Sequence, residues 1–128
     1  SGPGATNAVT PIRDCQADST PVVLITGQVP RVAMGTDAFQ EAPIFNIMAG
    51  CAKQIYLVTD ETKVEATIRS AFHVARSGRP GPVVVDIPRD VQLLQQKFVG
   101  EGLLPMRGYQ EREAALERTK LTDGVAQD

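Results

Sequence analysis

The chain has 128 residues, of which 42% are hydrophobic and 22% charged, and a net charge of −2 at pH 7. These values predict one globular domain and exclude the strong positive charge of nucleic-acid and membrane-surface proteins. No apolar run is long enough to span a bilayer. Two cysteines and one histidine predict neither a disulfide framework nor a multi-histidine metal site. We therefore expect a cytoplasmic protein that binds neither nucleic acid nor membrane.

The first part of the chain alternates helix and strand patterns. Apolar residues at helical spacing over residues 4–18 predict a helix that begins near Asn7, with Pro11 in its first turn. The continuous apolar run of residues 21–26 predicts a strand buried on both faces. Residues 28–41 follow without a regular period, and a loop of that length in a compact domain is more often functional than idle.

The alternation continues in the middle of the chain. Residues 43–49 and 61–77 predict helices, and residues 54–58 and 83–87 predict strands. Alternation of this kind produces a parallel sheet with right-handed crossovers. We therefore predict an α/β fold: a partial doubly wound parallel sheet of about three strands with flanking helices, whose two edges are open.

The composition changes after Asp90. Residues 92–110 are rich in glutamine and interrupted by glycine, and residues 111–118 are polar and favour a helix. We predict one domain over residues 1–91, followed by a linker and tail over residues 92–128.

Taken singly, the candidate site residues leave alternatives open. The glycine turn that includes Gly2 either holds an anion or is an ordinary helix cap. Asp86 stands at the carboxyl end of a predicted strand, where α/β proteins bind ligands, although a carboxylate that braces a loop is the interpretation we favour. Considered without any motif around them, Lys53 is expected to be a solvated lysine, and His73 is expected to be a surface or half-buried histidine.

Three motifs, in order, carry a family resemblance. They are Ser-Gly-Pro-Gly-Ala-Thr-Asn at residues 1–7, Ile-Thr-Gly-Gln-Val-Pro-Arg at 25–31 with Gly-Thr-Asp-Ala-Phe-Gln-Glu at 35–41, and the stretch 78–91. Together they resemble acetohydroxyacid synthase, also called acetolactate synthase, over nearly all of residues 1–123. The resemblance implies a flavodoxin-like half-domain, the second half of the pyrimidine-binding domain of a thiamine-diphosphate enzyme, with a linker toward a central domain.

The resemblance also implies an activity. Enzymes of this family join two 2-oxo acids with loss of carbon dioxide, pyruvate with pyruvate or with 2-oxobutyrate, in branched-chain amino-acid synthesis. They are transferases, or carboligases, that use thiamine diphosphate, with magnesium and FAD bound by other domains. The pyrimidine-binding domain of one subunit faces the diphosphate-binding domain of another, so the resemblance implies a homo-oligomer.

Site residues follow from the resemblance position by position. Pro3 and Asn7 are expected near the aminopyrimidine of the cofactor, and Gln40 on the substrate side of it. The residues expected along the substrate channel are Val29, Pro30, Ala38, Phe39 and Lys53.

The family's cofactor-activating glutamate precedes the Ser-Gly-Pro-Gly motif. The resemblance therefore assigns this chain no catalytic residue and no metal ligand, and we expect the chain alone to be incomplete for the carboligation. The alternative is a small α/β protein that oligomerises to cover its open sheet edges and has a binding role or another activity.

Overall fold

The computed structural model describes residues 1–125, with side chains as far as Arg118. It contains three strands and six helices within that range, in the order α1 (Pro3–Thr6), α2 (Val9–Asp18), β1 (Val22–Gln28), α3 (Ile44–Ala49), β2 (Gln54–Leu57), α4 (Val64–Arg76), β3 (Pro82–Pro88), α5 (Arg89–Leu93) and α6 (Tyr109–Val125). Single 3₁₀ turns occupy Arg31–Ala33 and Glu61–Lys63.

The three strands form one parallel sheet in the order β1-β3-β2. Val22 of β1 lies opposite Pro82 of β3, and Gln28 lies opposite Pro88. On the other side of β3, Leu57 of β2 lies opposite Asp86. The predicted α/β fold with a three-stranded parallel sheet is thus confirmed.

Strand β3 divides the core between two faces. Val83, Val85 and Ile87 pack with α4 on one face. Val84 packs on the other face with the buried residues of α1, α2 and α3, which include Met48. Side chains alternate between the two faces of a strand, so a run of apolar residues suits only a strand that is covered on both sides.

Two sequence predictions differ from the structure. The prediction that the first strand is buried on both faces is wrong, because β1 is an edge strand and its Ile25 is 56% exposed. The predicted helix start near Asn7 is also wrong. The chain forms a separate short helix, α1, and α2 begins only at Val9, with Pro11 in its first turn as predicted.

The tail contacts the domain that precedes it. Met106 and Tyr109 pack against the α4 face of the core. The Tyr109 hydroxyl lies 2.7 Å from the Ser77 hydroxyl, and His73 lies 3.0 Å from the Glu113 carboxylate. The boundary near residue 91 stays a prediction. Within the described residues, no helix combines the length and the hydrophobicity needed to cross a membrane.

Removal of two methyl groups from the middle of β3 should test this core. We expect Val84→Ala to lower the free energy of unfolding by about 2–3 kcal/mol, because Val84 is fully buried and the substitution leaves a cavity. Val32→Ala is the matched control, since Val32 is 91% exposed, and it should change stability little. Urea unfolding followed by circular dichroism measures both; equal losses would contradict the described core.

Candidate functional site

A cleft of about 350 Å³ lies beyond the carboxyl ends of β1 and β3. Its position is the one at which open parallel sheets bind ligands. The residues that line it come from the chain start, the end of β1, the following loop and α5: Ser1, Gly27, Gln28, Val29, Pro30, Phe39, Gln40, Arg89 and Gln92.

Four of the predicted site residues meet in this cleft. Val29 and Pro30 begin the loop after β1, and Phe39 and Gln40 stand near its end, so the loop returns to the place where it starts. Phe39 is 89% exposed. Ala38 belongs to the same loop but does not line the cleft. The structure therefore brings together most of the predicted channel, although the roles of these residues stay predictions.

The glycine turn at the chain start packs directly on this loop. Gly2 has a φ of 45°, and a Cβ atom built there would lie 1.8 Å from the carbonyl oxygen of Gln40. Only glycine fits such a contact. Pro3 and Asn7 follow at the two ends of α1 and are exposed, and neither lines the cleft. The wall of the cleft therefore includes neither of these two predicted cofactor residues.

Buried hydrogen bonds support the cleft from below. The fully buried carboxylate of Asp86 accepts hydrogen bonds from the Thr26 hydroxyl at 2.7 Å and from the Gln28 side-chain amide at 3.0 Å. Gln28 also donates to the Ala42 carbonyl and accepts from the Val29 amide. Burial raises the pKa of Asp86, and the two hydrogen bonds act in the opposite direction. These hydrogen bonds agree with the bracing role that the sequence analysis favoured for Asp86.

An exposed ion-pair network fixes the outer side of the cleft. The Arg31 guanidinium donates to Asp90 at 2.7 Å, to Glu61 at 3.1 Å and to the Thr59 carbonyl at 2.9 Å. The hydrogen bond from Arg31 lowers the pKa of Asp90. The contact with Asp90 ties the start of the loop to α5. The sequence analysis did not single out Arg31 or Asp90 as a site residue.

Arg89 is the cation that lines the cleft. It is the first residue of α5, directly after the end of β3, and its side chain is exposed. In the part of the chain that the structure describes, no hydrogen bond or ion pair engages its guanidinium. The sequence analysis missed Arg89, although its position after the carboxyl end of a buried strand was a usable signal.

Lys53 lies at the opposite end of the sheet. It precedes β2, and its backbone amide donates to the Pro82 carbonyl at the start of β3. Its ammonium donates to the carbonyls of Val74 and Ser77 at the end of α4, and to the Tyr109 hydroxyl at 3.1 Å. The structure therefore does not bring Lys53 together with the other predicted channel residues; here it caps α4.

The polar groups of the cleft suit a heterocycle better than a metal ion. They include the hydroxyl of Ser1 and the amide of Gln40, which can both donate and accept hydrogen bonds, whereas the amides of Gln28 and Gln92 already make hydrogen bonds within the protein. An aminopyrimidine presents both kinds of group at its edge. Among the described side chains, no cluster of three or more histidine, cysteine or carboxylate residues is placed to hold a metal ion.

Comparison with known proteins agrees with this geometry. Residues 1–49 match the family model for the thiamine pyrophosphate enzyme, N-terminal TPP binding domain; thiamine pyrophosphate is another name for thiamine diphosphate. The chain is 47% identical over 127 residues to acetolactate synthase 2, chloroplastic, of Nicotiana tabacum, and 98% of the chain is covered. Nearly the whole chain is therefore similar to one segment of acetolactate synthases. The family resemblance seen in the sequence is thereby confirmed.

Bacterial relatives give the same result. Identity is 50% over 109 residues to the acetolactate synthase large subunit of Corynebacterium glutamicum, and 52% over 109 residues to the acetolactate synthase of Mycobacterium leprae. Each of these alignments covers 85% of the chain. The chain spans only 17–19% of the length of the three family members.

The contact between Gly2 and Gln40 can be tested with two alanine substitutions. We expect Gly2→Ala to lower the free energy of unfolding by at least about 1 kcal/mol, because it adds a Cβ at positive φ against a backbone carbonyl. Gly4→Ala is the matched control, since open space surrounds Gly4. Thermal unfolding measures the loss of stability, and the NMR shift of the Gln40 amide reports the change at the contact. A Gly2→Ala variant that matches Gly4→Ala in both would contradict the contact.

The helix-capping role of Lys53 predicts a loss of stability when its charge is removed. We expect Lys53→Met to lower the free energy of unfolding by about 2 kcal/mol, in the range for hydrogen bonds made by charged groups. Lys97→Met is the control, because Lys97 is exposed. Chemical denaturation measures both variants, and unchanged stability of Lys53→Met would show that the cap contributes nothing.

Proposed function

We propose that this chain supplies part of the pyrimidine-facing wall of an acetolactate synthase, an enzyme that joins two 2-oxo acids with loss of carbon dioxide. The observation that carries the proposal is the cleft at the carboxyl ends of β1 and β3, where Gln40, Phe39, Val29 and Pro30 meet beside the N-terminal glycine turn. The names of the relatives support the same activity.

Thiamine diphosphate is the cofactor we assign to this wall. When bound, it supplies the carbanion stabilisation that the decarboxylation and carbon–carbon bond formation require. In this proposal Gln40 faces the substrate side of the cofactor, and Pro3 and Asn7 lie near its pyrimidine ring. We assign magnesium and FAD to other domains, as the family resemblance implies.

Arg89 is the residue we assign to the substrate carboxylate. A 2-oxo acid carries one negative charge, and a guanidinium can bind a carboxylate through two parallel hydrogen bonds. Arg89 lines the cleft and has no partner among the described residues, whereas the ammonium of Lys53 is held by the carbonyls at the end of α4. We therefore propose that Arg89 provides the attraction for pyruvate that the sequence led us to expect of Lys53.

The exposed apolar residues around the cleft support an assembly. Phe39 lines the cleft and is almost fully exposed, and Val32 in the same loop is also exposed. A large apolar side chain that is exposed at a cleft, as Phe39 is, suits a surface that a partner covers. We propose that a second subunit covers them in a homo-oligomer. A cytoplasmic location stays a prediction, since the tobacco relative is named chloroplastic.

A chimeric enzyme tests the proposal with the chain in a complete protein. The 127 matched residues replace the corresponding segment of the tobacco enzyme, and acetolactate formation from pyruvate is measured with and without thiamine diphosphate and magnesium. We expect cofactor-dependent activity. A chimera that folds and binds the cofactor but forms no acetolactate would overturn the proposal.

Variants of the chimera separate the two assigned roles. We expect Gln40→Ala to lower kcat/KM by roughly tenfold or more, because it removes a group oriented toward the reacting atoms. We expect Arg89→Ala to raise the KM for pyruvate by about tenfold, with a smaller change in kcat. Arg13→Ala is the matched control, since Arg13 is exposed on α2 and does not line the cleft. Equal effects of the two arginine substitutions would contradict the role of Arg89.

One observation favours a second candidate function. Strand β1 is an open sheet edge, and its Ile25 is more than half exposed, as expected of a small protein that oligomerises through its edges. Sedimentation of the isolated chain and an acetolactate assay on it distinguish the candidates. The small binding protein would be favoured if the isolated chain formed discrete oligomers without producing acetolactate and the chimera was also inactive.

A further inference from the structure

The loop that carries Gln40 contains two unfavourable backbone conformations. Asp37 has a φ of 55° and Gln40 a φ of 62°, both in the left-handed region that residues with a Cβ atom rarely adopt. Such conformations persist only where surrounding contacts hold them. The contacts that hold this loop therefore decide where the Gln40 side chain lies.

The carboxylate of Glu41 makes two of these contacts. One oxygen accepts a hydrogen bond from the Gly35 amide at 2.5 Å, and the other accepts from the Ala38 amide at 3.0 Å. The Glu41 amide in turn donates to the Ala38 carbonyl at 2.9 Å. The side chain thus closes residues 35–41 into a ring, and the backbone hydrogen bonds, that of Gly35 first, lower the pKa of Glu41.

Glu41 supports the cleft without entering it. Its side chain lines a separate cavity of about 270 Å³, on the side of the loop that faces Asp86. Gln40, one residue earlier, lines the cleft, and its carbonyl packs on Gly2. Glu41 is therefore placed to hold the backbone next to Gln40 without lining the cleft itself.

We propose that Glu41 is a positioning residue, whose carboxylate binds the amides of Gly35 and Ala38 and so holds Gln40 in the left-handed conformation that directs its side chain into the cleft. The role in catalysis rests on the proposed function, because it requires that Gln40 faces the substrate. The role of Glu41 in the loop structure does not depend on the proposed function, so the structural role and the catalytic role are tested separately.

The isolated chain tests the loop. In Glu41→Gln, one carboxylate oxygen becomes an NH₂ group, which cannot accept a hydrogen bond, so an amide of Gly35 or Ala38 loses its partner. We expect these two amides and that of Gln40 to shift in NMR spectra and to exchange at least about tenfold faster, with the amides of β3 unchanged. Glu101→Gln, at an exposed position, should leave all of them unchanged. Unaltered Gly35 and Ala38 amides in Glu41→Gln would overturn the proposal.

Acidification of the unsubstituted chain gives a second measurement that does not depend on the folding of the variant. Because the pKa of Glu41 is lowered, its hydrogen bonds to the two amides should be lost as the pH falls through a value below the pKa of an ordinary glutamate. The Gly35 and Ala38 amide shifts should titrate together at that lower pH, before the β3 amides change. Gly35 and Ala38 amide shifts that do not change together on acidification would overturn the proposal.

The chimera tests the effect on catalysis through a double-mutant cycle. We expect Glu41→Gln to lower kcat/KM roughly tenfold when Gln40 is present and to have no further effect when Gln40 is already alanine, because a positioning residue acts through the group it positions. An equal loss in both backgrounds would show a merely structural role and overturn the proposal. An inactive unsubstituted chimera would overturn the proposed function, and the NMR measurements would still decide the role of Glu41 in the loop.

Discussion

The cleft depends on the buried hydrogen bonds between Asp86 and its two partners on β1. Asp86 belongs to the central strand, and Thr26 and Gln28 belong to the neighbouring edge strand, so the contact joins the strands at the end where the cleft opens. Gln28 extends the contact to Val29 and Ala42, the two ends of the long loop. A carboxylate this deeply buried is stabilised only if its oxygens are hydrogen-bonded, and here each oxygen accepts one hydrogen bond.

The loop completes the cleft because it is held at three separate points. Gln28 anchors its ends from within, Arg31 ties its first turn to Asp90 on α5, and Glu41 closes its last residues on themselves. Exposed ion pairs contribute little stability individually, so the value of the Arg31 contacts is mainly geometric. The glycine turn then packs on the loop at Gln40, which explains in physical terms why Gly2 belongs to the same site as a residue 38 positions later.

The two ends of the sheet have different roles. At the carboxyl end, the side chains leave an open cleft with an arginine that no described residue engages. At the amino end, the ammonium of Lys53 donates hydrogen bonds to the carbonyls that end α4 and to the Tyr109 hydroxyl. Parallel strands give the sheet this polarity, because every carboxyl end lies on the same side. A cation can therefore attract a substrate at one end and stabilise a helix at the other.

The sequence by itself determined the elements and their class. The apolar run at residues 83–87 predicted a strand, and the amphipathic spacing within residues 61–77 predicted the helix that packs on it. The motifs also identified the family and the loop that carries Gln40. These features are local in the chain, so their periodicity and composition are sufficient to predict them.

The tertiary structure alone decided which strand lies at the edge and which residues meet in the cleft. Val22–Gln28 and Pro82–Pro88 are both apolar, and only their pairing order makes one an edge and the other the centre. In the same way, only the folded chain shows that the ammonium of Lys53 is held by the carbonyls at the end of α4, whereas Arg89 lines the cleft. Burial and pairing are relations between distant segments, and they are not contained in the spacing of residues along any one of them.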